Sequence, residues 1–137
     1  MSATGDDGFT LLEMLVVLAI AAMIAGIGFP RLQSQIAAQE WRTAASAVTA
    51  ALRSARAEAL RSDADIGVAV GPEGRSVISG GVVMVALPAS VSVRMARPIG
   101  FHGDGSARGG EIAVDGSGRH VLISVATATG AVRSSAR

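Results

Sequence analysis

The strongest constraint on this chain is one apolar block, residues 9–29, which reads FTLLEMLVVLAIAAMIAGIGF. Only Thr10 and Glu13 within it are strongly polar. As a helix, this block would rise about 31 Å, close to the thickness of a bilayer's hydrocarbon core. A helix that is apolar on all sides is either a buried core helix or a membrane span, and uniform apolarity over this length favours the span. The block therefore predicts a membrane-spanning helix.

The same block does not fit a secretory signal peptide. Such a peptide needs a basic leader, a shorter apolar stretch and a small-residue cleavage site. The first eight residues, MSATGDDG, contain neither Arg nor Lys, and no clean Ala-x-Ala site follows the block. We therefore expect the apolar block to remain in the mature chain.

Glu13 is the unusual residue of the block, because a carboxylate inside a bilayer is costly and normally has a partner. Two explanations are open. Glu13 can lie near enough to the interface to reach water, or it can pair with a positive group at the same depth on another chain. No basic residue of the block can supply that group. An amino terminus created just before Phe9 can.

The stretch from Gly8 to Ile20 resembles the type IV prepilin signal, which pilins and type II secretion pseudopilins share. The shared order is a polar leader, Gly, Phe, a Glu early in the mature chain, and an apolar helix. The resemblance implies that prepilin peptidase cleaves between Gly8 and Phe9 and N-methylates Phe9. It also implies that Glu13 pairs with a neighbouring subunit's amino terminus during assembly, and that the helix bends at Pro30.

The leader departs from the family in one respect. It carries Asp6 and Asp7 where the family usually has a basic residue. Basic residues hold a leader in the cytoplasm. The orientation of this chain in the membrane is therefore predicted from the motif and not from the charge.

Residues 30–62 predict an amphipathic continuation of the helix, because after Pro30 they are rich in Ala and contain no Gly or Pro. Apolar residues recur there at steps of three and four. They are Ala37, Trp41, Ala44, Val48, Leu52, Ala55 and Ala59. This stripe predicts a face that packs on a sheet, with Trp41 as a packing anchor.

From residue 63 onward, short runs rich in Val and Ile alternate with Gly-containing turns. Such a pattern predicts an antiparallel sheet or small sandwich. The expected strands are 66–70, 77–79, 82–87, 91–95, 99–101, 111–114, 120–125 and 131–133, and residues 134–137 are expected to fray. The predicted fold class is α+β, with a long amino-terminal helix packed on a carboxy-terminal β domain. The predicted segments are a leader (1–8), a transmembrane or filament-core helix (9–29), an amphipathic helix (30–62) and a periplasmic β domain (63–137).

Several carboxy-terminal segments are similar to the GspH/FimT family of minor pseudopilins and pilins. They are Leu52–Leu60, Ile99–Phe101, the Gly103–Gly110 loop, Glu111–Val114 and Thr129–Arg133. The resemblance implies a structural subunit and not an enzyme, held in the bacterial inner membrane with its β domain in the periplasm. It implies assembly near the tip of the type II secretion pseudopilus with other minor pseudopilins and the major pseudopilin, and contact with secreted proteins.

The alternative within the same family is a FimT-like minor pilin that primes a type IV pilus or acts in DNA uptake. Arg133 and Arg137 are then the candidate DNA contacts. Ala131 stands where the DNA-binding members have the first Arg of their carboxy-terminal segment. Net charge is +1, so composition alone gives no argument for a polyanion partner.

Disulfide, metal-binding and hydrolase functions have less support in the sequence than a structural subunit has. The chain has no Cys, which excludes disulfides and thiolate metal sites. His102, Asp104 and Ser106 offer hydrolase groups by type, but they alternate along one Gly-rich loop, which lacks a rigid scaffold for catalysis. Asp104 and Asp115 lack the closely spaced oxygen ligands of a calcium loop. No cofactor and no metal are expected.

Overall fold

The computed structural model describes residues 10–136, with side chains for all of them except 27–34 and 136. The chain divides into two compact units, Met1–Gln35 and Ile36–Arg137. One helix, α1 (Leu11–Ser62), begins in the first unit and ends in the second. The second unit also holds nine strands, which are β1 (Ile66–Val70), β2 (Ser76–Ser79), β3 (Val82–Ala86), β4 (Val91–Met95), β5 (Ile99–Phe101), β6 (Ala107–Arg108), β7 (Gly110–Gly116), β8 (Arg119–Val125) and β9 (Val132–Ala136).

The strands form two antiparallel sheets. One has five strands in the order β3-β2-β1-β5-β6, and the other has four in the order β4-β7-β8-β9. Val and Ile dominate both sheets, as expected for residues that pack well on a pleated surface. The predicted α+β class, with a long amino-terminal helix packed on an antiparallel β domain, is confirmed.

The core lies between one face of α1 and the inner faces of both sheets. From the helix it takes small and medium side chains at steps of three and four, and Val48, Leu52 and Ala59 are completely buried. From the sheets it takes larger ones, among them Phe101 and Ile112. Each fully buried side chain of Leu or Phe size contributes about 1.5–3 kcal/mol relative to exposure. The amphipathic stripe predicted for 30–62 is therefore the face that holds the domain on its helix.

Trp41 anchors this packing at the upstream end of the stripe. Its indole Nε1–H donates a hydrogen bond to the backbone carbonyl of Val114 in β7, at 3.4 Å. The ring is half-buried and packs against the core. The hydrogen bond to Val114 pairs the indole N–H, which a buried Trp normally needs. The structure thus bears out the packing role predicted for Trp41.

Helix α1 ends at Ser62 and is followed by a left-handed residue, Asp63, whose φ is 50°. The N–H of Ala64 then donates to the carbonyl of Ala59 at 3.3 Å, which satisfies one of the last helical acceptors. This geometry turns the chain from the helix into β1.

Two predictions at the carboxy-terminal end are wrong. Residues 134–136 do not fray, because they extend β9 along β8, where Ser134 pairs with Ile123 and Ser135 with Leu122. The Gly103–Gly110 segment, expected to be a loop, contains a short strand, because Ala107 and Arg108 form β6. Tertiary pairing decides both cases: Ala107 lies opposite Phe101 in β5 and its N–H donates to the carbonyl of Thr127.

Candidate functional site at the amino-terminal helix

The start of α1 is fixed by a side-chain cap. The hydroxyl oxygen of Thr10 accepts a hydrogen bond from the backbone N–H of Glu13, at 3.2 Å. The carbonyl of Thr10 accepts the first helical bond, from the N–H of Met14. A Thr followed three residues later by Glu has the spacing of a capping box. The Thr-x-x-Glu spacing of Thr10 and Glu13 is the sequence signal from which this cap could have been predicted.

The cap places the carboxylate of Glu13 in the first turn of α1. The unpaired N–H groups there carry partial positive charge, which favours an anion. Glu13 is exposed, and no described side chain forms an ion pair with it. The helix therefore presents an unpaired carboxylate at its start, available to a cation from outside the described chain.

The helix that follows is apolar on every side and exposed within the single chain. Leu11 is 80% exposed, and residues on all faces are at least half exposed or nearly so. The large side chains concerned are Leu11, Leu12, Met14, Leu15, Val16, Val17, Leu18, Ile20, Met23 and Ile24. A contiguous exposed apolar surface of this kind marks a site of contact with protein or lipid.

In the described part of the chain, no helix combines the length and the apolar character needed to cross a membrane.

Several predicted site residues lie where the structure cannot test them. Gly8, Phe9 and Arg137 are outside the described residues, so cleavage and methylation stay predictions. The helical assignment continues through Pro30, and the bend predicted there stays a prediction. The pairing of Glu13 with a neighbour is likewise untested.

The hydrolase groups of the Gly103–Gly110 segment are divided between two separate interactions. The ring Nδ1–H of His102 donates to the carboxylate of Asp65 at 2.8 Å. Ser106 donates from both its hydroxyl and its backbone N–H to Asp104, at 2.6 and 2.8 Å. These two hydrogen bonds lower the pKa of Asp104 below its usual value. The hydroxyl of Ser106 is thus engaged by Asp104 and not by a His ring, which is not the arrangement of an activated nucleophile.

Asp115 holds together three strands of the four-stranded sheet. Its carboxylate accepts a hydrogen bond from Arg94 of β4 at 3.0 Å and another from the Nδ1–H of His120 of β8 at 2.8 Å. Burial alone would raise the pKa of Asp115, but these two donors outweigh it and the pKa lies below its usual value. Among the side chains the structure describes, no group of three or more acidic, His or Cys residues is placed to hold a metal ion.

The arginines of the carboxy-terminal third do not form one patch among residues 10–136. Arg108 belongs to the five-stranded sheet, whereas Arg119 and Arg133 belong to the other. Arg119 pairs with Gly116 at one end of β8, and Arg133 pairs with Ser124 near the opposite end. At about 3.4 Å per residue, roughly 17 Å of strand separates the two positions. Arg119 and Arg133 therefore do not lie side by side.

Two comparisons with known proteins give matches, one to a sequence motif and one to the fold. Residues 5–29 match the prokaryotic N-terminal methylation motif. The fold is similar to the type IV minor pilin FimU of Pseudomonas aeruginosa in two crystal forms. In one, the TM-score is 0.56 and the identity 18%, over 72% of this chain and 93% of FimU. In the other, the TM-score is 0.53 and the identity 18%, over 70% and 96%. No significant match is found among curated protein sequences.

The motif and the fold occur together in one chain. The methylation motif, residues 5–29, includes the first part of α1, and the later part of α1 packs on an antiparallel β domain. The chain therefore has a pilin-like fold and carries a prokaryotic methylation motif at its amino-terminal end.

Proposed function

We propose that this chain is a minor pseudopilin, a structural subunit of the type II secretion pseudopilus that assembles near its tip and helps to export folded proteins. The observation that carries this proposal is the methylation motif at residues 5–29. The motif includes the capped start of α1, the carboxylate in its first turn and the exposed apolar side chains that follow.

Processing would begin at the junction between Gly8 and Phe9. Prepilin peptidase hydrolyses this peptide bond and releases residues 1–8, and the new amino group of Phe9 is then methylated. The methylated amine stays positively charged at neutral pH, because its pKa is close to that of other amines. Small Gly8 suits such a cleavage site, since it adds no side chain that would crowd the peptidase.

Assembly would join this new amine to the Glu13 carboxylate of a neighbouring subunit. Both charges lie among apolar side chains, where a carboxylate without a partner is costly and an opposite charge strongly attracts it. The cap by Thr10 orients Glu13 at a fixed position on the helix. The pair would therefore set the axial register between adjacent helices.

The apolar surface of α1 would be covered twice in the life of the subunit. Before assembly, it lies in the inner membrane, with the β domain in the periplasm. After assembly, it packs against the helices of neighbouring pseudopilins. Each Leu or Ile side chain removed from water stabilises either state by about 1.5–3 kcal/mol. The partners are thus the prepilin peptidase, other minor pseudopilins, the major pseudopilin, the inner membrane and secreted proteins. The role needs no enzymatic activity of the chain itself.

A second candidate function is a minor pilin of a type IV pilus that primes assembly or takes up DNA. The fold likeness to FimU, whose crystal structures are those of a type IV minor pilin, favours this alternative. Arg133 and Arg137 would be the DNA contacts in this case. The roughly 17 Å of strand between the positions of Arg119 and Arg133 argues against one phosphate-binding surface that contains both of them.

A deletion strain distinguishes the two functions. Under the first, exoproteins accumulate in the periplasm while transformation and piliation stay normal, and a plasmid copy restores secretion. A plasmid copy carrying Glu13→Gln fails to restore it, whereas one carrying Glu111→Gln, an exposed carboxylate of β7, succeeds. Normal secretion with lost pili or lost transformation would reject the secretion role in favour of the pilus.

A further inference from the structure

The five-stranded sheet ends at β3, whose one strand neighbour within residues 10–136 is β2. Edge strands present a row of unpaired backbone N–H and C=O groups, onto which another strand can be added. Natural proteins usually protect such edges with Lys, Pro or inward-pointing charges. β3 is such an edge, so its side chains and backbone decide whether another strand can be added.

β3 has no charged protection. From residue 76 to residue 93 the chain contains no Asp, Glu, Lys or Arg. Val82 is 69% exposed and Val83 is 56% exposed, and they are two of the few large apolar side chains that the second unit exposes. β3 itself carries a bulge, because Val77 pairs with Val85 and Ile78 with Val83, which leaves Met84 as the extra residue. A bulge is one device that protects an edge. It interrupts the ladder only after Val83, so the regular part of the edge is the stretch next to the turn, Val82 and Val83.

The turn before β3 fixes which backbone groups point outward. Gly80 and Gly81 both have positive φ, at 56° and 81°, and form a two-residue hairpin turn in which Ser79 pairs with Val82. In such a hairpin, the residues that flank the turn exchange hydrogen bonds with each other. The N–H and C=O of the next residue, Val83, therefore point away from β2 toward the open edge.

We propose that the open edge of β3 binds an extended, uncharged segment of a neighbouring subunit, which adds as a further strand to the five-stranded sheet. The identity of the donor as a neighbouring subunit rests on the proposed function. Backbone groups of β3 would give the binding energy, and the uncharged surroundings would give the selectivity. A charged residue placed there would lose water without finding a partner.

The size of the edge indicates how the partner is held. β3 has five residues and is about 17 Å long. One strand added along this length would bury much less area than the interface of a stable complex of standard size. The added strand must therefore be kept nearby by another contact. Packing of the apolar helices in a filament supplies it, because tethering raises the effective concentration of the second contact.

A second copy of this chain is a poorer occupant. Pairing β3 with β3 of another copy would be two-fold symmetric, and such a contact closes on itself. A filament grows through head-to-tail contacts that continue from subunit to subunit. The partner strand therefore comes from a different surface of its subunit.

Side chains beside the edge define the shape of the strand it takes. On the outer face, Val83 stands in register with Ile78 of β2, and Ile78 with Ala69 of β1. This row is apolar and only half-buried at its two inner positions. Since alternate residues of an added strand face the same side, we expect small or β-branched residues at every second position.

The test uses the full chain in detergent micelles and a capped peptide, Thr-Val-Thr-Val-Thr-Val, with hydrogen exchange of the Val83 amide followed by NMR. The peptide is expected to slow exchange at Val83 by about tenfold or more. A matched peptide with Lys and Glu in place of the Thr residues is expected to leave it unchanged. Exchange at amides of the central strand β7 serves as the internal reference.

Two variants distinguish backbone pairing at β3 from nonspecific binding of the peptide. Val83→Pro removes the outward N–H and places a ring at the edge, which abolishes peptide binding while the β2–β3 ladder remains. Val83→Thr keeps the N–H and is expected to bind as the wild type does. Here binding is followed by protection of the other β3 amides, and Trp41 fluorescence confirms that each variant is folded. If Val83→Pro does not fold, Val83→Lys replaces it and is expected to weaken binding at least about fivefold.

Four results would overturn the proposal. They are protection by neither peptide, equal protection by both peptides, protection without peptide that grows with protein concentration, and protection that appears only with added phospholipid vesicles. The third would assign the edge to a second copy, and the fourth to a lipid surface. None of these measurements depends on processing at Gly8–Phe9, so the proposed function stands or falls separately.

Discussion

Replacing Gly103 by Ala is expected to destabilise the β domain through one close backbone contact. A Cβ at this position would lie 2.8 Å from both the Cα and the carbonyl carbon of Asp63. Carbon atoms in ordinary contact are about 3.5–4.0 Å apart. Asp63 is the left-handed residue that follows α1, so it cannot move without shifting the end of the helix. The methyl group must therefore push the two backbone segments apart.

The expected cost is about 1–3 kcal/mol, the usual range for atoms forced into a packed site. Gly67→Ala is the matched control, because it is the same change in β1 with nothing within 4 Å of the added Cβ and no positive φ. Removing a Gly there is expected to change the free energy of unfolding by less than about 1 kcal/mol, toward greater stability.

Urea unfolding of the full chain in mild detergent measures both variants. Trp41 is the single Trp and its indole bonds to β7, so its emission reports loss of contact between α1 and the domain. We expect Gly103→Ala to unfold at a lower urea midpoint than the wild type, and Gly67→Ala to unfold at the wild-type midpoint or a higher one, with equal m-values. If Gly103→Ala stays within about 0.5 kcal/mol of wild type, the close approach of the loop to the helix end is refuted.

Three further predictions concern charge. Because the pKa of Asp115 is lowered in the folded state, its stabilising contribution is complete above about pH 4 and is lost as the pH falls through the folded pKa. Asp115→Asn is expected to cost about 0.5–1 kcal/mol at neutral pH and to flatten the acid limb of a urea-midpoint profile; an unchanged limb would count against the Arg94–Asp115–His120 network. Glu13→Gln is expected to leave processing intact and to abolish recovery of the subunit in sheared filaments, and recovery at the wild-type level would reject a register role for Glu13. Arg133→Ala is expected to leave retention of the chain on duplex DNA at physiological salt unchanged, and a clear loss would revive the DNA-binding alternative.

The sequence predicts the helix and most strands because their signals are local. The stripe from Ala37 to Ala59 has helical spacing, and Val-rich runs between Gly turns have strand character. Observed strand bounds differ from the predicted ones by one or two residues at several ends, for example at β7, which starts at Gly110. Gly at a strand end carries no propensity signal, so pairing with β8 decides its place.

Elements made by tertiary contact could not be predicted. The segment Ser134–Ala136 has small and polar side chains, and it becomes part of β9 because β8 offers an unpaired side. Ala107 and Arg108 form β6 because Phe101 and Gly100 of β5 lie opposite them, and because the carbonyl of Thr127 accepts a hydrogen bond from the N–H of Ala107. Such strands are specified by their neighbours and not by their own composition.

At the candidate site, the sequence motif predicts the processing residues, and the structure adds the hydrogen bonds and the exposure. Cleavage at Gly8 and methylation at Phe9 are predicted from the sequence motif alone, and both residues lie outside the described part of the chain, so the fold adds nothing to that prediction. The structure adds the hydrogen bond from Glu13 to Thr10 and the exposure of the apolar helix surface. It also shows Ser106 bonded to Asp104 and His102 bonded to Asp65, which the order of residues in the loop does not reveal.

Intact-mass measurement tests the central claim most directly. The full chain is expressed with and without an active prepilin peptidase, and a Glu111→Gln chain serves as a processing control. The account predicts a mass equal to Phe9–Arg137 plus one methyl group when the peptidase is present, and the full Met1–Arg137 mass when it is absent. A chain that keeps Met1 in the presence of active peptidase, or that is cut anywhere other than after Gly8, would contradict the account.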